Sequence, residues 1–133
     1  MEARRSKYFS IPVPHKPGEL ARFAKHMRDA GVNMVGLWGF GMGPDRAELL
    51  AIPENTAQFQ KALAGTTWKS DEKTCFLLLG EDQLGAMCDL AEALAAAGVN
   101  VEAVGMMGVG GRCAGLLWCD EKDLDKVGKL LRA

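Results

Sequence analysis

Moved along by 67 positions, the second half of this sequence lies on the first. Phe9 falls on Phe76, Gly18 on Gly85 and Ala24 on Ala91. The run Ala30-Gly31-Val32-Asn33 falls on Ala97-Gly98-Val99-Asn100, and Gly41 and Gly43 fall on Gly108 and Gly110. Ala47, Leu49 and Leu50 meet Ala114, Leu116 and Leu117. The matches run through the whole length, so they mark a duplicated folding unit and not a biased patch. With 133 residues in all, each copy is small enough to be marginal alone, which favours fused or dimeric modules over independent ones. We place copy 1 at 1–70 and copy 2 at 71–133.

Each copy shows the same order of elements. Tyr8 to Val13 and Cys75 to Leu79 are short apolar runs, as in buried strands. Leu20, Phe23, Ala24 and Met27, like Met87, Leu90, Ala91 and Leu94, recur at helical spacing and give each helix one apolar face. Gly31 and Gly98 follow as helix stops, where a left-handed residue is needed. A strand then begins at Val32 or Val99 and ends in a glycine-rich hairpin, Gly39 to Gly43 or Gly108 to Gly111. The return strands run from about Arg46 to Ile52 and from about Arg112 to Cys119. Phe59, Ala62 and Leu63, with Val127, Leu130 and Leu131, mark a second short helix in each copy.

Strand, helix, strand, strand, helix, twice over, is an α+β pattern: a ferredoxin-like βαββαβ unit, its antiparallel sheet covered by helices on one face. Copy 1 has Thr66 to about Ser70 to supply the fourth strand. Copy 2 has no segment left for one after its second helix, so its edge is expected to stay open or to borrow a strand from copy 1 or another chain. The large apolar residues Trp38, Trp118, Met106 and Met107 add to the expectation of association, as a homodimer that completes the sheet.

Charge and composition remove several functions. Lys plus Arg number 16 against 17 Asp plus Glu, so the field that draws nucleic acid or an anionic membrane is missing. RNA binding on the sheet would also need exposed aromatics on a basic face, and only Trp38 and Phe40 offer themselves; packing is the better reading. Cys75, Cys88, Cys113 and Cys119 form no CxxC pair, which leaves no zinc or iron–sulfur spacing and points to free thiols in a reducing compartment. The opening MEARRSKYF is charged without an apolar core, and no apolar run is long enough to span a bilayer. A cytoplasmic, soluble protein is expected. The run Gly105 to Gly110 lacks dinucleotide-binding spacing and precedes a strand where that motif needs a helix.

One loop carries more information. Between the first strand and first helix of copy 1 stands His15-Lys16-Pro17-Gly18-Glu19-Leu20, with Gly31-Val32-Asn33 after the helix. This resembles the ACT domain, a small amino-acid-sensing module whose loop reads Asp-x-Pro-Gly-x-Leu and whose helix is followed by Gly-Ile/Val-Asn. Pro17, Gly18, Leu20 and Gly31-Val32-Asn33 match; His15 replaces the usual Asp. Copy 2 keeps the acid as Asp82, departs at Gln83-Leu84, and retains Gly85 and Gly98-Val99-Asn100. The resemblance covers nearly the whole chain as two tandem copies. It implies a regulatory protein, attached in related proteins to metabolic enzymes, with no catalytic part of its own in this chain and no cofactor.

By that resemblance a ligand would lie against His15, Gly18, Glu19 and Leu20, or against Asp82, Gly85, Ala86 and Met87, with Asn33 and Asn100 closing the site. The residue types agree: a helix N-terminus receives carboxylates, Gly lets a ligand approach the backbone, and Asn offers both donor and acceptor. A second reading stays open, in which the glycines only permit a tight turn and the paired copies serve assembly without a ligand. His26 is expected to be solvated beside Arg22 and Lys25, and no Ser or Cys stands by His15 to suggest catalysis. Cys88, in the first turn of the second copy's helix, aligns with inert Ala21, which favours packing.

Overall fold

A computed structural model describes residues 1–133. Six strands and four helices follow one another as β1 (Glu2–Pro14), α1 (Glu19–Asp29), β2 (Met34–Gly41), β3 (Arg46–Pro53), α2 (Thr56–Leu63), β4 (Asp71–Glu81), α3 (Ala86–Ala96), β5 (Val101–Val109), β6 (Arg112–Cys119) and α4 (Leu124–Leu131). The α+β order and its duplication are those the repeat dictates. They pack into two compact units, Lys7–Lys73 and Met1–Ser6 together with Thr74–Ala133. The units therefore cut the chain differently from the repeat.

In the Lys7–Lys73 unit β3 lies between β1 and β2, all antiparallel, with Phe9 opposite Ala51 and Leu37 also opposite Ala51. Alternation along β1 turns Phe9, Ile11 and Val13 to one face, where they bury against Phe23 and Met27 of α1 and Phe59 and Leu63 of α2. Phe9 and Phe59 meet at 4.7 Å between ring centroids. Helix α1 ends on Gly31, whose φ of 72° allows the Gly31 and Val32 amides to return to the carbonyls of Arg28 and Met27. Gly98 does the same for α3 at φ 70°, with Ala95 and Leu94 as acceptors. The strands start two residues later than expected, because Val32 and Val99 complete these turns.

In the other unit β6 lies between β4 and β5, and Phe76, Leu78, Leu117 and Cys119 bury against Leu90, Leu94 and Val127. The β5–β6 hairpin turns on Gly110 and Gly111 alone, at φ 60° and 78°, the conformation a two-residue turn requires. The fourth strand of this unit is the start of β1, which runs beside β4. A Cβ on Gly80 would meet Met1, and the Arg5 guanidinium lies 5.8 Å from the Phe76 ring centroid, so the two run antiparallel. Arg5 also donates to the Leu124 carbonyl at 3.0 Å and pairs with Asp125 at 3.0 Å, tying the segment to α4.

Three expectations are corrected: the Thr66–Ser70 strand, the length of the first strands and the solvation of His26. Thr66–Ser70 forms no strand; the chain bends there, and Trp68 packs on Phe23 at 5.5 Å instead of entering a ladder. For the sheet of the second unit, borrowing from copy 1 is the alternative realised: Met1–Ser6 completes it, so an unfilled strand position is no reason for dimerisation. Both first strands are longer than their apolar runs, because the charged flanks Glu2 to Arg5 and Asp71 to Lys73 are also extended. His26 is half-buried, not solvated: Nε2–H donates to the Ala62 carbonyl at 2.7 Å and the ring stands 5.0 Å from Trp68. Trp118 is buried and Trp38 half-buried, whereas Met107 remains exposed.

Candidate ligand site at the strand-to-helix loops

Both loops bring an exposed polar side chain, a left-handed glycine and the first turn of a helix together. Gly18 caps α1 at φ 92° and Gly85 caps α3 at φ 83°, and neither helix has a side-chain cap. Helix α2 differs, since Asn55 Oδ1 accepts from the Gln58 amide at 2.9 Å. An uncapped first turn leaves N–H donors and the positive dipole end for another acceptor. Nothing lies within 4 Å of where a Cβ would stand at Gly18 or Gly85, so the approach to both is open.

His15 follows β1 and donates its amide to the Asp45 carbonyl at 3.1 Å; Asp82 follows β4 and donates to the Gly111 carbonyl at 3.0 Å. Each loop is thereby stitched to the hairpin of its own unit, and each polar side chain rests against a hairpin-strand glycine. A Cβ at Gly41 would stand 3.1 Å from His15 Nε2, and one at Gly108 would stand 2.7 Å from Asp82 Oδ2.

The remaining residues divide. Glu19 is buried and occupied, with Arg22 at 3.0 Å and Lys16 at 3.7 Å. Its counterpart Ala86 is half-buried and has no charge to engage. Leu20 is exposed, while Met87 packs partly on the core of its unit. Asn33 and Asn100 are exposed but stand beyond the far ends of α1 and α3. An 11-residue helix separates each from its loop by ~16 Å, so within one unit they are not brought to it. Asn33 instead donates to Glu54 Oε2 at 3.4 Å.

Two concave regions escaped the sequence reading. One, of about 660 Å³, lies on the Lys7–Lys73 unit where Ser10 and Pro12 of β1 and Arg46 and Glu48 of β3 meet Lys69 and Asp71. Ser10 Oγ donates to Glu48 Oε1 there. The other, of about 320 Å³, lies in the second unit between Met1, α3 and α4. The only signal for the first was the polar alternation of β1, Ser10 and Pro12 between Phe9, Ile11 and Val13.

No protein-family profile and no curated protein matches the sequence. Solved structures do. Protein BT0572 of Bacteroides thetaiotaomicron is similar over 98% of this chain and 88% of its own, with a TM-score of 0.86 at 19% identity. The regulatory subunit of aspartate kinase from Thermus thermophilus is similar over 99% of this chain and 95% of its own, at TM-score 0.63 and 13% identity. The α and β subunits of an aspartokinase give 98% and 95% coverage, TM-score 0.61 and 16% identity. The chain has the tandem ACT fold. At these identities the likeness is one of fold. One strand-to-helix loop and one helix pair belong to each unit. No helix is long and apolar enough to cross a membrane.

Proposed function

We propose that this protein is a non-catalytic, cytoplasmic sensor that binds an amino acid or similar small metabolite at its strand-to-helix loops. One observation carries the reading: in both copies a left-handed glycine opens an uncapped helix beside an exposed polar side chain, His15 or Asp82. A ligand carboxylate would take the first-turn N–H groups, and Asp82 would hold an ammonium in the second copy. The free state of all four cysteines agrees with a reducing compartment. Output would pass to a metabolic enzyme partner or to a change of assembly, as the regulatory proteins of similar fold suggest.

Thermal-shift and calorimetric screening of the twenty amino acids tests this. Stabilisation by one of them, lost when Gly18 or Gly85 is replaced by Val, supports it; no response to any of them overturns it. Assembly without a ligand is the second reading, favoured by the exposed apolar residues of the edge strands: Val35 and Phe40 on β2, Val104, Met107 and Val109 on β5. A homodimer through these edges would be seen by light scattering, and a monomer at tens of micromolar would remove it.

A further inference from the structure

In the Lys7–Lys73 unit Trp68 fills a slot over α1. Its indole meets Phe23 edge-on at 5.5 Å and 90°, lies 5.0 Å from the His26 ring and takes the Arg22 guanidinium over its face at 4.3 Å. The repeat relates every wall of that slot to a residue of the second unit. Phe23 corresponds to Leu90, His26 to Ala93 and Arg22 to Asp89, while Trp68 itself corresponds to Met1. No indole is available there, and the place is a cavity of about 320 Å³ lined by Met1, Ala3, Leu90, Ala93 and Leu131, with Asp89 among its walls.

We propose that this cavity binds a flat aromatic ligand bearing an amine, such as an aromatic amine or an aromatic amino acid. Three features of the site argue for that chemistry. Its sister slot holds an indole, so the backbone frame accepts a bicyclic ring, and its volume is at the lower end of small-molecule sites. Ala3, Leu78, Leu90, Ala93 and Leu131 give it an aliphatic side, with the Met1 thioether among them and Gln83 and Asp89 as its polar groups, and a ring set on that side gains both hydrophobic and sulfur–aromatic contact. Where the sister slot sets a guanidinium over its own indole, this one has the carboxylate of Asp89, which complements a cation brought by the ligand.

Ala86 of the second strand-to-helix loop also lines the cavity, so the proposal rests in part on the sensing reading and names a ligand class and a copy for it. Calorimetry on the full chain with tryptamine, indole, tryptophan and serine separates the two. Tryptamine is expected to bind saturably and indole more weakly. Ala93→Trp, which supplies a ring to the slot, should weaken tryptamine by about tenfold. Ala3→Phe, filling it from the strand side, should do the same if Ala93→Trp fails to fold. Asp89→Asn should lower the tryptamine-to-indole affinity ratio about fivefold. Absence of aromatic binding, or binding unchanged in both filled variants, overturns the proposal. Serine binding that depends on Gly85, without aromatic binding, overturns it and leaves the loop reading standing. Aromatic binding lost in Ala93→Trp but kept in Gly85→Val upholds it, whatever the screen of the twenty amino acids decides for the loops.

Discussion

The imidazole of His15 rests on the backbone of Gly41, so near that a Cβ there would stand 3.1 Å from Nε2. Sixty-seven positions on, the carboxylate of Asp82 rests on Gly108 in the same manner. Gly41→Ala and Gly108→Ala are expected to keep the fold, because the atoms they meet are the mobile ends of side chains. Urea unfolding should move by less than about 1 kcal/mol. The displaced neighbours should report the change as altered NMR shifts at His15 or Asp82.

Gly31 and Gly98 close α1 and α3 in the left-handed region. Replacing either with Ala costs ~1–2 kcal/mol of conformational strain. At both that strain is the main effect, since the new Cβ meets nothing within 4 Å at Gly98 and only the Gln58 amide at 3.5 Å, an ordinary contact, at Gly31. Urea denaturation should therefore show similar losses for the two variants.

Arg5 holds the borrowed strand. Arg5→Ala removes its hydrogen bond to the Leu124 carbonyl and its ion pair with Asp125, and should cost about 1 kcal/mol. The diagnostic is local: amides of residues 2–6 should lose protection from hydrogen exchange before those of β6. Gly128→Ala should act similarly, because its Cβ would displace the Arg5 guanidinium.

Burial pushes the Cys75 thiol up to about 12, and burial followed by the carboxylates of Asp123, Glu102 and Asp120 raises Cys119. Cys88 is exposed. Thiol labelling at neutral pH should therefore modify Cys88 first and leave Cys75 unreacted until unfolding. The unfolded chain gives up the Cys75 proton from pH ~8.5, while the native chain keeps it to about 12. The native state then holds the extra proton, so stability falls as pH rises through that window, by at most ~1.4 kcal/mol per pH unit. In Cys75→Ala the slope should be shallower.

Trp68→Ala opens in the first unit the slot already open in the second. Loss of the stack on Phe23 and His26 should cost about 3 kcal/mol. Free indole should restore part of it, read as a rise in Tm, since an apolar cavity of the right shape binds what was removed.

Much of this molecule was readable before its structure. The apolar spacing of Phe23 and Met27, the stops at Gly31 and Gly98 and the hairpin at Gly110-Gly111 are local signals, and each stands where local physics puts it. The loop residues His15 and Asp82 were legible through the repeat, which set two versions of one site side by side. The strand expected at Thr66–Ser70 failed because Trp68 gains more by packing on Phe23 than by pairing, a choice no local pattern displays. His26 was misjudged for the same reason, as its partner Ala62 is 36 residues away.

By itself the sequence determined the duplication, the order of elements and the chemistry of the two loops, since these depend on spacing and residue type over short stretches. Tertiary structure decided which segment completes the sheet of the second unit and which slot is filled. Charged Met1–Ser6 carries no apolar pattern to announce a strand, and becomes one only because β4 presents an edge beside it. Trp68 and Met1 occupy equivalent positions, yet only packing reveals that one fills its slot and the other leaves a cavity.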